Sequence, residues 1–217
     1  ERAPRYGELN YVEEVTVKKP IEYPGPGPRI ALLDCGVKAG ILRALLTRGL
    51  SVVRLPYDAS VDEVLSYEPR GVLISNGPGN PVKCEATIKT VKGLFELGLP
   101  MLGICLGNQI MSLALGGRTY KLKYGHRGQN KPCVDLDTGL CYVTSQNHGY
   151  AVDPSSLEDT GLRVWFLNAD DRTVEGVKHG SRPCLAVQFH PEARPGPYDT
   201  DWVFDLFLKA VEAGHYA

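Results

Sequence analysis

Gly103-Ile104-Cys105-Leu106-Gly107 sets one thiol between two glycines, behind an apolar run and just ahead of a helix-like stretch over 110–115. This is the spacing of a nucleophile elbow, a strand-to-helix turn too tight for a Cβ on either side of the reacting residue. The helix N-terminus that opens after Cys105 favours the thiolate, which is the attacking species. Taken alone, the same residues also suit a buried cysteine in an ordinary turn, so a base must decide. Ala186-Val187-Gln188-Phe189-His190-Pro191-Glu192 offers one: a β-rich run delivers a histidine, and a carboxylate follows across a stiff proline. Thiol attack needs a base within hydrogen-bond reach, and the base needs a carboxylate to fix its tautomer and support the imidazolium. Cys105, His190 and Glu192 are the candidate nucleophile, base and orienting group. The competing reading is a surface histidine beside a solvated glutamate.

Three further stretches bear on the same chemistry. Ser75-Asn76-Gly77-Pro78-Gly79-Asn80 follows an apolar run, and such a loop exposes backbone N–H groups of the kind an oxyanion hole requires. The N–H of Leu106, next after the nucleophile, is the natural second donor. A nucleotide-phosphate loop is the rival, but the Gly-Lys-Ser/Thr ending is missing. Ser145-Gln146-Asn147-His148-Gly149-Tyr150 could hold an amino-acid head group or be a plain turn, with His148 a structural histidine. Tyr124-Gly125-His126-Arg127-Gly128-Gln129-Asn130-Lys131-Pro132 reads as a polar loop without an assigned role.

The elements that must position these residues follow from periodicity. Short apolar runs over 29–33, 51–55, 71–75 and 100–104 alternate with helical spacing over 37–47, 61–66 and 81–97. Strands that are apolar throughout, separated by helices, predict a mostly parallel sheet covered on both faces. After Gly117 come short β-rich runs over 119–122, 134–136, 140–144, 163–168, 174–178 and 185–189, then an amphipathic helix over 201–212. The expected fold is α/β: a mostly parallel central sheet flanked by helices, with a small antiparallel extension. Residues 1–28 are rich in Pro and Gly and read as a linker from a missing N-terminal domain, with a short strand over 11–17. Residues 29–217 are the expected single domain.

With 217 residues the chain can bury one substantial core. Its net charge of −1 points to neither nucleic acid nor an acidic tail, and no apolar run is long enough to span a membrane. The N-terminal residues lack an apolar signal region and an initiator Met, which fits a fragment or a processed product. The six cysteines are widely spaced, with neither C-x-x-C nor a Cys/His zinc spacing. They read as reduced thiols of a cytoplasmic protein, structurally buried except for Cys105.

Gly103-Ile104-Cys105-Leu106-Gly107-Asn108-Gln109 together with Gln188-Phe189-His190-Pro191-Glu192 resembles the class I (triad) glutamine amidotransferases. Within that class, four stretches are similar to the small, glutamine-hydrolysing subunits of carbamoyl-phosphate synthetases. They are Leu33-Asp34-Cys35-Gly36-Val37-Lys38, Ser75-Asn76-Gly77-Pro78-Gly79, Gly125-His126-Arg127-Gly128-Gln129-Asn130 and Ser145-Gln146-Asn147-His148-Gly149-Tyr150. Pro195-Gly196-Pro197-Tyr198-Asp199-Thr200 fits the same group, and the resemblance runs over roughly 29–211. It departs at Asn108, where relatives often carry His or Met, and at Tyr150, where Phe is common.

The resemblance implies that Cys105 attacks the side-chain amide of L-glutamine, His190 shuttles the proton and Glu192 orients it. It implies oxyanion donors at Gly77 and Leu106, and glutamine contacts at Gly79, Gln109, Asn147, Gly149 and Tyr150. It implies no metal or organic cofactor in this domain; ATP, Mg²⁺ and bicarbonate belong to the partner, a carbamoyl-phosphate synthetase large subunit or domain serving pyrimidine and arginine biosynthesis. An additional N-terminal domain of the family contributes a serine to the glutamine site and contact with the synthetase. The residues leave open a glutaminase of another pathway, a different Cys hydrolase such as a peptidase, and a docking fragment with little activity alone.

Overall fold

The structure, a computed structural model, describes residues 7–213. In chain order the first half contains α1 (Val12–Val15), β1 (Ile21–Tyr23), β2 (Arg29–Asp34), α2 (Ala39–Thr47), β3 (Ser51–Pro56), α3 (Val61–Leu65), β4 (Gly71–Ile74), α4 (Glu85–Glu96), β5 (Met101–Ile104) and α5 (Leu106–Ala114). The second half contains β6 (Thr119–Asp135), β7 (Cys141–Val152), β8 (Leu162–Asn168), β9 (Val174–His179), β10 (Cys184–Val187) and α6 (Trp202–Ala213).

The apolar runs become strands because both of their faces are buried. Ile30, Leu32, Val52, Leu73, Leu102, Ile104 and Leu185 pack with Ile41 and Leu45 of α2 and with Phe204 and Phe207 of α6. Their neighbours Ala31, Leu33, Val53, Val72, Ile74, Met101 and Ala186 pack on the other face with Val91 and Leu94 of α4 and Ile110 and Met111 of α5. Each such side chain contributes roughly 1.5–3 kcal/mol by leaving water. The five strands β3-β2-β4-β5-β10 run parallel, so their carboxyl ends share one edge.

The rest of the ten-stranded sheet is antiparallel, which corrects the expectation of a mostly parallel sheet with a small extension. β9 pairs antiparallel with β10, followed by β7, β6 and β8, and β8 returns to pair with β9, so this half closes into a barrel-like ring. The long strands β6 and β7 were hidden because β6 is half exposed and loses register between Lys121 and His126 and again between Gly128 and Lys131. Such irregularities erase the period-2 pattern. Both polar stretches, 124–132 and 145–150, therefore lie in strands and not in loops.

Smaller corrections have local causes. The helix expected over 81–97 breaks at Cys84 into a 3₁₀ turn, Pro81–Lys83, and α4. The helix expected over 110–115 starts at Leu106, directly after the elbow. The strand expected over 11–17 is the short helix α1, where Asn10 Oδ1 accepts from Val12 N–H at 3.3 Å and Val12 is buried. β1 pairs antiparallel with β3, so the Pro/Gly-rich segment lies along the sheet edge. Residues 1–6 of the expected linker lie outside the described residues. Among the described residues no helix is long and apolar enough to cross a membrane.

Candidate active site

The carboxyl ends of β2, β4, β5 and β10 each deliver one part of the site. At the end of β5, Cys105 has φ 55° and ψ −101°, a conformation L side chains rarely adopt. It is held by its own N–H, which donates to Val187 O of β10 at 2.8 Å, and by α5, which begins at Leu106. The flanking glycines are required by close approach. A Cβ on Gly103 would meet Gly107 O at 2.6 Å, and one on Gly107 would run into the carbonyl oxygen of Ile74. The helix therefore packs flush against β4 and β5, and the thiol is pushed to the sheet edge.

β10 and the residues after it place the base. Gln188 N–H donates to Glu175 O and His190 N–H to Ser145 O, both at 2.8 Å, so the chain beyond β10 is tied to β9 and β7. His190 Nδ1 lies 2.9 Å from Glu192 Oε1, and the imidazole also interacts with the Cys105 sulfur. The contact with Glu192 uses Nδ1 and leaves Nε2 for the sulfur. Burial by itself lowers the His190 pKa, but the Cys105 sulfur and then the Glu192 carboxylate more than offset it and raise it to about 10. Burial would raise the Glu192 pKa, yet His190 and then Lys38 pull it down to about 2. An imidazolium locked to a fully ionised carboxylate follows.

Lys38 was not among the sequence candidates for a role. Its Nζ lies 2.7 Å from Glu192 Oε1, whose side chain is fully buried. The loop that carries it is braced from beneath: Asp34 Oδ1 accepts from the N–H groups of Gly36 and Val37, and Asn76 Oδ1 accepts from Lys38 N–H. Buried Asp34 is in turn paired with Arg54 at 2.8 Å. Gln188 was also missed. Its Nε2 reaches the Cys105 sulfur at 3.7 Å, while its Oε1 accepts from Asn108 Nδ2 at 3.2 Å and Gln109 Nε2 at 3.0 Å. Its place two residues before the candidate base was the one available signal.

All the other candidates meet in one place. Gly77, Gly79, Cys105, Leu106, Gln109, Asn147, Gly149 and Tyr150 line a single cavity, joined by His148. The Cys105 thiol points toward Asn147 O, 4.0 Å away, and Gln109 Nε2 donates to Tyr150 O at 2.9 Å. The cavity volume is about 20 Å³, close to that of one water. A molecule the size of an amino acid would need the lining to yield. Gly7 sits against the Tyr150 hydroxyl, where a Cβ would be 2.5 Å away, so the segment before α1 stands beside the cavity.

The remaining cysteines are free thiols. Burial raises the pKa of Cys84 and Cys184 to about 12 and also raises that of Cys35 and Cys133. Cys141 is exposed, which corrects its expected burial; it sits at the start of half-exposed β7. Cys105 alone is joined to a base.

Comparison with known proteins agrees with this geometry. Residues 31–210 match the family model described as glutamine amidotransferase class-I. The chain is 52% identical to the carbamoyl phosphate synthase small chain of Methanopyrus kandleri, over 94% of this chain and 56% of the relative. It is 50% identical to the chain of that name from Pyrococcus furiosus, over 95% of this chain and 56% of the relative. The chain thus spans about half the length of the curated relatives it matches. A solved structure from Thermoplasma acidophilum, described as a candidate GMP synthase component, superposes with a TM-score of 0.75 at 25% identity, covering 88% of this chain and 96% of that one.

Proposed function

Given that this chain belongs to the class I glutamine amidotransferase family, we propose that it hydrolyses L-glutamine to glutamate and ammonia through a thioester on Cys105. The ammonia passes to a synthetase large subunit or domain that makes carbamoyl phosphate. The observation that carries this reading is that Cys105 and the glycine loop at Gly77 line one cavity while the hydrogen-bonded His190–Glu192 pair acts on the Cys105 sulfur.

The Cys105 sulfur adds to the amide carbon of the glutamine side chain, and the carbonyl π pair moves to oxygen. Gly77 and Leu106 N–H groups stabilise that oxyanion. The oxyanion collapses, the C–N bond breaks, and the leaving nitrogen takes the proton of the His190 imidazolium, releasing ammonia. Water then adds to the thioester carbon while His190 accepts its proton, and collapse breaks the C–S bond, expelling the Cys105 thiolate as glutamate leaves and restoring the imidazolium that began the cycle. Glu192 stabilises the imidazolium throughout, with Lys38 holding Glu192. Gly79, Gln109, Asn147, Gly149 and Tyr150 hold the substrate. The triad chemistry itself calls only for water; ATP, Mg²⁺ and bicarbonate act in the partner.

A glutaminase serving GMP synthesis shares the triad and is the second reading. The test is to incubate the chain with an electrophilic glutamine analogue and map the adduct by mass spectrometry. Labelling at Cys105, slowed in His190→Ala, is expected; labelling of another cysteine, or equal labelling of His190→Ala, overturns the mechanism. Ammonia release stimulated by a carbamoyl-phosphate synthetase large subunit, and not by a GMP synthetase partner, separates the two readings.

A further inference from the structure

Behind the substrate cavity, inside the antiparallel half, His126 of β6, His148 of β7 and Glu175 of β9 bring one ligating atom each within 4.8 Å of one another. The outward hydrogen bond of each histidine calls for a protonated nitrogen. His148 Nδ1 lies 2.9 Å from Tyr150 O, a carbonyl that can only accept, so Nδ1 is protonated. His126 Nε2 lies 2.8 Å from the Asp171 carboxylate, so that nitrogen too is a donor. In a neutral ring the inward nitrogen, His126 Nδ1 or His148 Nε2, carries a lone pair.

The atoms nearest to them are acceptor oxygens. His126 Nδ1 is 2.9 Å from Glu175 Oε1, and His148 Nε2 is 3.4 Å from the same oxygen. His148 Nε2 is also 3.3 Å from Gln146 Oε1. The Gln146 amide is held in that sense because its Nε2 donates to Thr144 Oγ1, whose own hydroxyl donates to Lys131 O. Glu175 is fully buried, and among the described residues its Oε2 has no hydrogen-bond partner. The nearest donor, Asn168 Nδ2, stands 3.5 Å from His126 Nδ1, at the limit of a hydrogen bond. A proton along the 2.9 Å contact between His126 Nδ1 and Glu175 Oε1 serves only those two atoms. It would leave His148 Nε2 and Glu175 Oε2 without a hydrogen-bond donor among the described residues.

We propose that His126 Nδ1, His148 Nε2 and the Glu175 carboxylate bind a divalent transition-metal ion, zinc by ligand type, with Gln146 Oε1 as the fourth donor. Tetrahedral zinc with bonds of about 2.0–2.1 Å separates its ligands by roughly 3.3 Å, close to the distances found here. The outward contacts to Asp171 and Tyr150 O are those that orient metal-bound histidines. The ion pins three strands together directly under Asn147, Gly149 and Tyr150, and so sets the wall of the substrate cavity. It departs from the metal-free domain expected from the sequence, because the ligands are far apart in the chain and meet only across the ring.

The test is metal analysis of the protein produced in zinc-supplemented medium, together with cobalt(II) titration of chelator-treated protein. Stoichiometric zinc is expected, with cobalt d–d bands and no thiolate-to-metal charge transfer. Binding is lost in Glu175→Gln and His126→Asn but kept in Cys105→Ala. Loss in Cys105→Ala, or thiolate charge transfer, would assign the ion to the Cys105–His190 pair and overturn the proposal. So would wild-type protein that carries no zinc and gives no cobalt spectrum. Should a ligand variant fail to fold by circular dichroism, the wild-type and Cys105→Ala measurements still decide.

Discussion

Replacing Glu192 by Gln keeps the volume and the hydrogen-bond acceptor facing His190 Nδ1 but removes the charge. The His190 pKa is raised from 6.5 to about 10, and at 1.36 kcal/mol per unit this is roughly 5 kcal/mol in favour of the imidazolium. The Cys105 sulfur supplies the larger share and Glu192 the smaller, which we take as about 2 kcal/mol, or about 30-fold. Glu192→Gln should therefore lower kcat/KM for ammonia release by roughly 30- to 100-fold. The His190 titration, followed by NMR of its ring protons, should move down by roughly 1–2 units, and the alkaline limb of the rate profile with it. The same raised pKa contributes folding stability that is complete below pH 6.5 and lost as pH rises through about 10. The variant should flatten that dependence. Ammonia release within about twofold of wild type, with an unmoved alkaline limb, would refute the role assigned to Glu192.

Lys38→Met removes the cation 2.7 Å from Glu192 while keeping the aliphatic stem. Because the Lys38 side chain is 39% exposed, screening limits its worth to about 1 kcal/mol, and kcat should fall about five- to tenfold at unchanged KM in steady-state assays. Gly107→Ala places a methyl group against the Ile74 carbonyl and should cost on the order of 2–3 kcal/mol in urea denaturation, with loss of activity as the elbow is displaced. The Asp137 pKa is lowered to about 2, first by Arg163 and, against burial, also by Lys178. Its contribution is present above pH 3.8 and lost as pH falls through about 2. Discounted for partial exposure, Asp137→Asn should cost about 1 kcal/mol in melts at pH 7, with the difference from wild type closing at low pH.

The geometry of the elbow was readable from the chain because it is local. Two glycines around a cysteine answer to a steric demand within five residues, and the structure meets it with Gly103 against Gly107 O and Gly107 against Ile74 O. His190 and Glu192 likewise sit two residues apart and share one hydrogen bond. The parallel strands were equally plain, since burial on both faces leaves an uninterrupted apolar run. Where exposure is one-sided and bulged, as in β6, the pattern failed, and a long strand passed for a polar loop.

Residue types and short spacings thus determined the candidate nucleophile, its candidate base and the strands beneath them, because those depend on sterics and burial within a few residues. Only the tertiary structure decided that Lys38 reaches Glu192, that Gln188 reaches the Cys105 sulfur, and that His126, His148 and Glu175 converge. Those contacts join side chains from separate strands and loops. No periodicity of the chain encodes which lysine will meet which carboxylate; the register and closure of the sheet do.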